Sequence, residues 1–219
     1  VSIAAHLLEA APADIELDGS RATVRGTPTK GMSLAEIATR AYFQPETLPP
    51  DVAPGLEASG RYKAVTRSNF ANATHLCTCE VDVATGRVTL LRYIAVEDCG
   101  AMINPDIVEG QIAGGTMQGI AGVLYEHLAY DEDGNPVATT FMDYLVPTAA
   151  EAPIIEYGHV DTPGPGPGGY KGVGEGGVLG SVPAVANAIA DALAPLGVVV
   201  NRLPLTPSAI RDLVAAARA

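Results

Sequence analysis

Gly164-Pro165-Gly166-Pro167-Gly168-Gly169-Tyr170-Lys171-Gly172-Val173-Gly174-Glu175-Gly176-Gly177 places eight glycines and two prolines in fourteen residues, with a strongly apolar stretch directly after it. Such a segment buries almost no side chains, so it does not serve as core. Glycine lets another molecule approach the main chain closely, and the lone acid, Glu175, reads as a carboxylate carried to a defined place by bare backbone. The ordinary alternative is a solvated connector. Downstream, Ser181 and Pro183 predict a helix start, with the helix running through Leu193 and apolar on nearly every side. A helix of that kind is expected to be central. Its N-terminus, near Glu175, suits anionic ligand groups.

Upstream, Asn104 and Pro105 form an N-cap and first helical position, predicting a helix over 105–127 despite Gly110, Gly114, Gly115, Gly119 and Gly122. Each interior glycine costs about 1 kcal/mol relative to alanine, so five of them require a compensating role. Gln111 and Gln118, seven residues apart, share a face to within about 20°, with Gly115 between them and Gly114 and Gly122 alongside. Spacing alone leaves two readings open: tight packing against another backbone, or contact with a ligand.

Farther out, 74–82 and 88–96 alternate around the turn at Ala84-Thr85-Gly86-Arg87 and predict a hairpin. A shorter hairpin is expected over 15–24. Ser33 and Glu36 form a capping box for a helix to about Tyr42. Residues 2–10 have helical apolar spacing that starts abruptly, as though the chain began mid-helix. The four prolines of 45–58 indicate an extended connector, with a possible subdivision into 1–60 and 61–219. Strands are expected at 137–144, 154–160 and 198–202, and Thr206-Pro207 caps a terminal helix to about Ala217. Hairpins alternating with isolated helices give an α+β fold with small mixed or antiparallel sheets and flanking helices.

Composition narrows the function. The 219 residues are 47% apolar and carry 13 basic against 25 acidic side chains, a net charge of −12. That charge repels phosphate backbones and anionic membrane surfaces, so nucleic acid is not an expected partner. No run reaches 18 apolar residues and no signal sequence is visible, so membrane insertion is not expected and a cytoplasmic location is. The first residue, Val1, hints at a processed or excised chain. Cys77, Cys79 and Cys99 lack the number and spacing of iron–sulfur or zinc sites; on a strand Cys77 and Cys79 share a face about 6.6 Å apart, and all three read as free thiols. Gly26-Thr27-Pro28-Thr29-Lys30-Gly31-Met32-Ser33 nearly matches a phosphate-binding loop, but Met32 stands where lysine is required. Asp131-Glu132-Asp133-Gly134-Asn135 opens like a calcium loop but reaches Met142 at the twelfth position, and reads instead as a hairpin turn.

Three stretches in order carry a resemblance: Glu97-Asp98-Cys99-Gly100 through Asn104-Pro105; Glu109-Gly110-Gln111-Ile112-Ala113-Gly114-Gly115-Thr116-Met117-Gln118-Gly119; and Lys171-Gly172-Val173-Gly174-Glu175-Gly176-Gly177. They resemble the C-terminal part of the molybdenum-cofactor large subunit of the xanthine oxidase, aldehyde oxidase and carbon monoxide dehydrogenase family, nearest its bacterial carbon monoxide dehydrogenase-like branch. Phe141-Met142-Asp143-Tyr144 and Asn187 through Leu193 also fit, and the likeness covers essentially the whole chain.

The resemblance implies a molybdopterin-binding domain, the pterin in its cytosine dinucleotide form, and oxidation of a small substrate with water-derived oxygen. It implies Glu175 as general base at the molybdenum centre, with Gln111, Gly114, Gly115, Gln118, Gly172, Val173 and Gly174 on the cofactor. No metal ligand is implied in this chain. The remaining pterin loops are expected upstream, so the resemblance implies half a site, inactive without an N-terminal half. Iron–sulfur (2Fe-2S) and FAD subunits are implied as partners, and the whole complex is expected to dimerise. The contrasting reading is a non-catalytic structural or assembly module that keeps the fold.

Overall fold

The computed structural model describes residues 1–63 and 69–218. The chain divides into two compact units, the first being Val1–Lys63. In that unit a short helix, α1 (Ser2–Leu7), precedes three antiparallel strands in sequential order, β1 (Ile15–Asp18), β2 (Arg21–Val24) and β3 (Thr27–Ser33). The third strand replaces the near phosphate loop: Met32, which disqualified that motif, pairs with Ala22 as an ordinary strand residue. Helix α2 (Leu34–Phe43) begins at the expected capping box, in which the Ser33 hydroxyl accepts from the Glu36 amide at 3.2 Å and the Glu36 carboxylate accepts from the Ser33 amide at 2.8 Å. Ile3, Ala4, Ile15, Ala22, Ile37 and Ala41 close its core.

The second unit is built on the long hairpin of β4 (Asn72–Asp82) and β5 (Arg87–Asp98). Asp82 organises its turn by accepting from the amides of Ala84 and Thr85. A bulge opposite Thr78 and Cys79 inserts one extra residue into β5, pairing Thr78 with Arg92 but Cys79 with Leu90. The insertion changes which parity of β5 faces inward. Val88 and Leu90 pack on the core before it; Tyr93, Ala95, Glu97 and Cys99 do so after it. The connection from β5 runs through helix α3 (Pro105–Leu124) to β6 (Ile155–His159), which lies parallel to β5, so this sheet is mixed, in the order β4-β5-β6. Helix α4 (Gly176–Leu193) lies across α3 and β4, and α5 (Pro207–Arg218) closes the chain. Ile112, Ile120, Val123, Val185, Ile189 and Ile210 form the common core. The architecture is the expected α+β.

In the second unit, four elements differ from the sequence reading. Residues 137–144 form turns, not a strand, because Thr140 offers the backbone a local alternative: its hydroxyl accepts from the Met142 amide and donates to Asp143, and its carbonyl accepts from the Tyr144 amide at 2.8 Å. Residues 198–202 have no ladder partner; Val198 and Leu205 are instead buried singly, and the Leu205 amide donates to the Val123 carbonyl at 2.6 Å. Helix α3 stops at Leu124, three residues short. Helix α4 starts at Gly176, five residues before Ser181, and contains Pro183 in its interior; the carbonyl that proline leaves without its usual partner belongs to Leu179, which is 71% exposed and open to water.

Nor is α4 buried all round. Gly177, Ser181, Val185, Ile189 and Leu193 face inward, at successive spacings of four, while Asn187 and Asp191 are exposed. By length and composition this helix could cross a membrane, but its buried stripe against α3 and β4 is that of a core helix.

Candidate functional site

The two sides of α3 use their glycines differently. Gly115 and Gly119 lie where α4 crosses: a Cβ on Gly115 would stand 2.9 Å from the Val178 nitrogen and 3.2 Å from the Gly177 Cα, and one on Gly119 would overlap the Ser181 side chain. Gly177 answers from α4, where a Cβ would stand 2.5 Å from the Ile112 carbonyl oxygen. These glycines let two backbones touch. Among the described residues, Gly110, Gly114 and Gly122 have no heavy atom within 4 Å of a built Cβ. Gly110 and Gly114 share an exposed stripe with Ile107, Gln111 and Gln118. Packing therefore accounts for Gly115 and Gly119, and it does not account for the open stripe.

Gln111 points along that stripe toward the Gly-rich loop: its Oε1 is 4.0 Å from where a Gly174 Cβ would be. Gly174 is thus the loop residue brought to the end of the glutamine, while Gly172 lies against the Asn69 carbonyl and Val173 packs against the core. Gln118 lies on the same face two turns along, about 10 Å by helical rise, and the structure does not bring it to the loop. Gly115 is turned into the helix crossing, so it contributes to the site only through the shape of α3.

The loop is gripped at both ends. At its start, Gly172 exchanges backbone hydrogen bonds of 3.3 Å with Asn69 and Ala71, and the Lys171 amide donates to the Cys99 carbonyl at 2.8 Å. Gly100 has φ +64° and no room for a Cβ against the Gly169 carbonyl, so only glycine serves there. The Lys171 ammonium donates to Asp98 at 2.9 Å, with both side chains largely buried. Lys171, aided by the Gly100 and Thr162 amides, holds the Asp98 carboxyl well below the usual carboxylate range. At its other end the loop becomes α4, where Gly176 sits on the buried Glu97: a Cβ there would lie 2.5 Å from Oε2.

Between these grips stands Glu175. It occupies the N-cap position of α4, yet its side chain makes no capping hydrogen bond, and it is exposed. Its chain neighbours, Gly174 and Gly176, carry no side chain that could cover it. The anion site expected at the α4 N-terminus also differs: a carboxylate of the chain itself, Glu97, already lies against it.

Sequence reading missed Glu97, Asp98, His75 and Tyr93 as parts of the site. Alternation along β4 and β5 could have placed them, but the bulge conceals the phase. Several clefts adjoin the second unit's surface, among them two that bear on the loop and the hairpin turn. One, of about 300 Å³, lies between the start of α3 and the loop and is lined by Met102, Ile103, Ile107, Tyr170 and Val173. The larger, about 440 Å³, is elsewhere, around Arg87, Tyr125 and Pro207. The three cysteines are unpaired; burial pushes the Cys77 thiol up to about 11 and raises Cys79 and Cys99 as well, so none is an activated nucleophile.

Residues 1–153 match the family model of the molybdopterin cofactor-binding domain. The chain is 41% identical over 211 residues to the nicotine 6-hydroxylase large subunit of Paenarthrobacter nicotinovorans, covering 96% of this chain and 26% of the relative. It is 40% identical over 205 residues to the carbon monoxide dehydrogenase large chain of Hydrogenophaga pseudoflava, covering 93% and 25%. The crystal structure of quinoline 2-oxidoreductase from Pseudomonas putida 86 superposes with a TM-score of 0.85 at 43% identity, over 98% of this chain and 27% of that one. The chain thus spans about a quarter of the length of the proteins it matches. It belongs to the molybdopterin cofactor-binding domain family, among the large subunits of the xanthine oxidase and carbon monoxide dehydrogenase type.

Proposed function

We propose that this chain is a catalytic portion of a molybdenum hydroxylase or dehydrogenase, contributing the general base and one wall of the cofactor site. The observation that carries this reading is the convergence of Gln111 and Gly174, beside Glu175, on a helix face whose glycines pack against nothing. The residues fit molybdopterin. A cradle that any Cβ at Gly110 or Gly114 would begin to fill allows a flat, polar ligand to lie close to α3. A carboxamide presents both donor and acceptor, as recognition of a pterin dinucleotide, in its cytosine form, requires. Gln111, Gly114 and Gly174 would hold that group, with Gly172, Val173 and Gln118 at its margins and Gly115 shaping the helix behind it.

When bound, the molybdenum centre supplies the two-electron redox chemistry by which a small substrate is oxidised with oxygen drawn from water. Glu175 accepts the proton that this oxygen gives up. Its freedom from capping duty leaves both carboxylate oxygens available, and the glycines on either side leave room for substrate. Covering by the rest of the large subunit would shield Glu175 from bulk water. We assign the other pterin loops to an N-terminal portion of that subunit, electron transfer to iron–sulfur and FAD subunits in a dimerising complex, and the site to the cytoplasm, which the unpaired cysteines favour.

Glu175→Gln in the complete complex tests the reading. The expected result is full molybdenum loading with turnover lowered by about a thousandfold, within the range that loss of a positioned base accounts for. Turnover near that of the wild type would remove Glu175 from the chemistry.

A further inference from the structure

Behind the Glu175 loop lies a chain of three buried polar side chains outside the proposed base and cofactor contacts. His75 on β4 stands directly opposite Ala95 on β5, and the small alanine leaves the imidazole free to reach both diagonal neighbours. Its Nδ1 is 2.7 Å from the Tyr93 hydroxyl and its Nε2 is 3.3 Å from Glu97 Oε1. With a carboxylate at one end, Nε2 donates to Glu97 and Nδ1 accepts from Tyr93. The His75 and Glu97 side chains are 1% and 0% exposed. Burial raises the Tyr93 hydroxyl's pKa, which keeps it a donor. The second carboxylate oxygen, Oε2, is buried with no partner among the described residues.

A buried carboxylate oxygen without a hydrogen bond is destabilising by itself, so its position calls for a cause. Oε2 lies beside Gly176, the first residue of α4; the Gly176 amide itself donates to the Val173 carbonyl at 3.2 Å, but the first turn as a whole presents the helix's positive end, where further N–H groups lack intrahelical partners. A negative group there is normally supplied by the N-cap side chain, but the N-cap residue, Glu175, makes no such bond. We infer that Glu97 is a positioning residue: held by His75 and Tyr93, it supplies the negative charge at the start of α4 from across the sheet and frees the Glu175 side chain for catalysis. Two glycines admit the arrangement. A Cβ on Gly176 would press on the Glu97 carboxylate, and one on Gly180 would overlap the His75 ring. Asp98, the next residue along β5, is engaged separately with Lys171. The charged and titratable groups around α4's first turn are therefore Glu97 and His75 behind it, with Tyr93 beyond, and Glu175 in front.

The inference rests on the reading of Glu175 as base, and its test separates the two. In the complete complex, hydrogen exchange measured by mass spectrometry across 172–181 reports the first turn of α4 without reference to turnover. Glu97→Ala is expected to speed exchange there at least tenfold while the β4–β5 hairpin is unchanged. Glu97→Gln, which keeps shape and one acceptor but loses the charge, should give about threefold. Steady-state kinetics should show kcat down about tenfold for Glu97→Ala at a KM within twofold of wild type, with molybdenum content retained and Glu97→Gln, which lacks the charge, recovering only part of the loss. Wild-type exchange in Glu97→Ala overturns the inference; if that variant does not fold, wild-type exchange and kcat in Glu97→Gln overturn it equally. Glu175→Gln assayed alongside decides the base reading, whatever the exchange shows.

Discussion

The packed and open sides of α3 carry the same residue for opposite reasons. Gly115 and Gly119 are filled from outside by α4, so a side chain there would force apart two helices that hold the core. Gly110 and Gly114 meet no atom of the described residues within 4 Å of a built Cβ, and an alanine at either would give a better helix. What the fold explains on one side it leaves unexplained on the other, and an unexplained cost on an exposed helix face identifies where something else must lie. The Gly-rich loop repeats the contrast: its ends are fixed by Lys171 on Asp98 and by Gly176 on Glu97, whereas Glu175 between them is exposed.

Substitutions can break this comparison. Gly115→Ala is expected to destabilise the second unit by about 1–3 kcal/mol, since the contact it violates is backbone, whereas Gly114→Ala should stabilise it by up to about 1 kcal/mol; chemical denaturation of the two variants side by side measures both. Equal effects would mean that the faces are not distinct. A smaller effect should sharpen the contrast within the loop. Because Lys171 depresses the Asp98 carboxyl, the ion pair's contribution is present above the ordinary carboxylate pKa near 4 and is lost as the pH falls through the depressed folded value. Lys171→Met removes the main cause of that depression, so acid-induced loosening of the loop, followed by hydrogen exchange, should begin about one pH unit higher. An unchanged acid profile would show that the loop is held by its backbone bonds alone.

The local signals were legible in the sequence where a residue's own chemistry decides its conformation. The Ser33–Glu36 box, the Asn104-Pro105 start and the turn closing β4 and β5 all depend on side chains acting within a few residues, and all stand where expected. Illegible features depend on partners distant in the chain. Nothing near 137–144 reveals that the Thr140 turn prevails over strand alternation. Pro183 looked like a first-turn residue because proline's local preference is clear, while the stripe of contacts that carries α4 back to Gly176 is tertiary. The candidate site divides in the same way. Glu175, Gln111 and the open glycines could be singled out from spacing and resemblance, but the division of those glycines between packing and an exposed face could not. Glu97 stayed hidden because a one-residue bulge reverses the inward phase of β5.

On the proposed reading, the open face of α3 beside Glu175 is this chain's share of the molybdopterin site. Gly114→Leu tests it directly, since no heavy atom of the described residues lies within 4 Å of a Cβ at that position and the added side chain projects onto what binds there. The measurement is the molybdenum-to-large-subunit ratio of the natively purified complex, with folding checked by circular dichroism. A ratio below about a tenth of wild type in a folded subunit is the predicted result. Wild-type loading would contradict the account and return the open glycines to an unexplained feature of the helix.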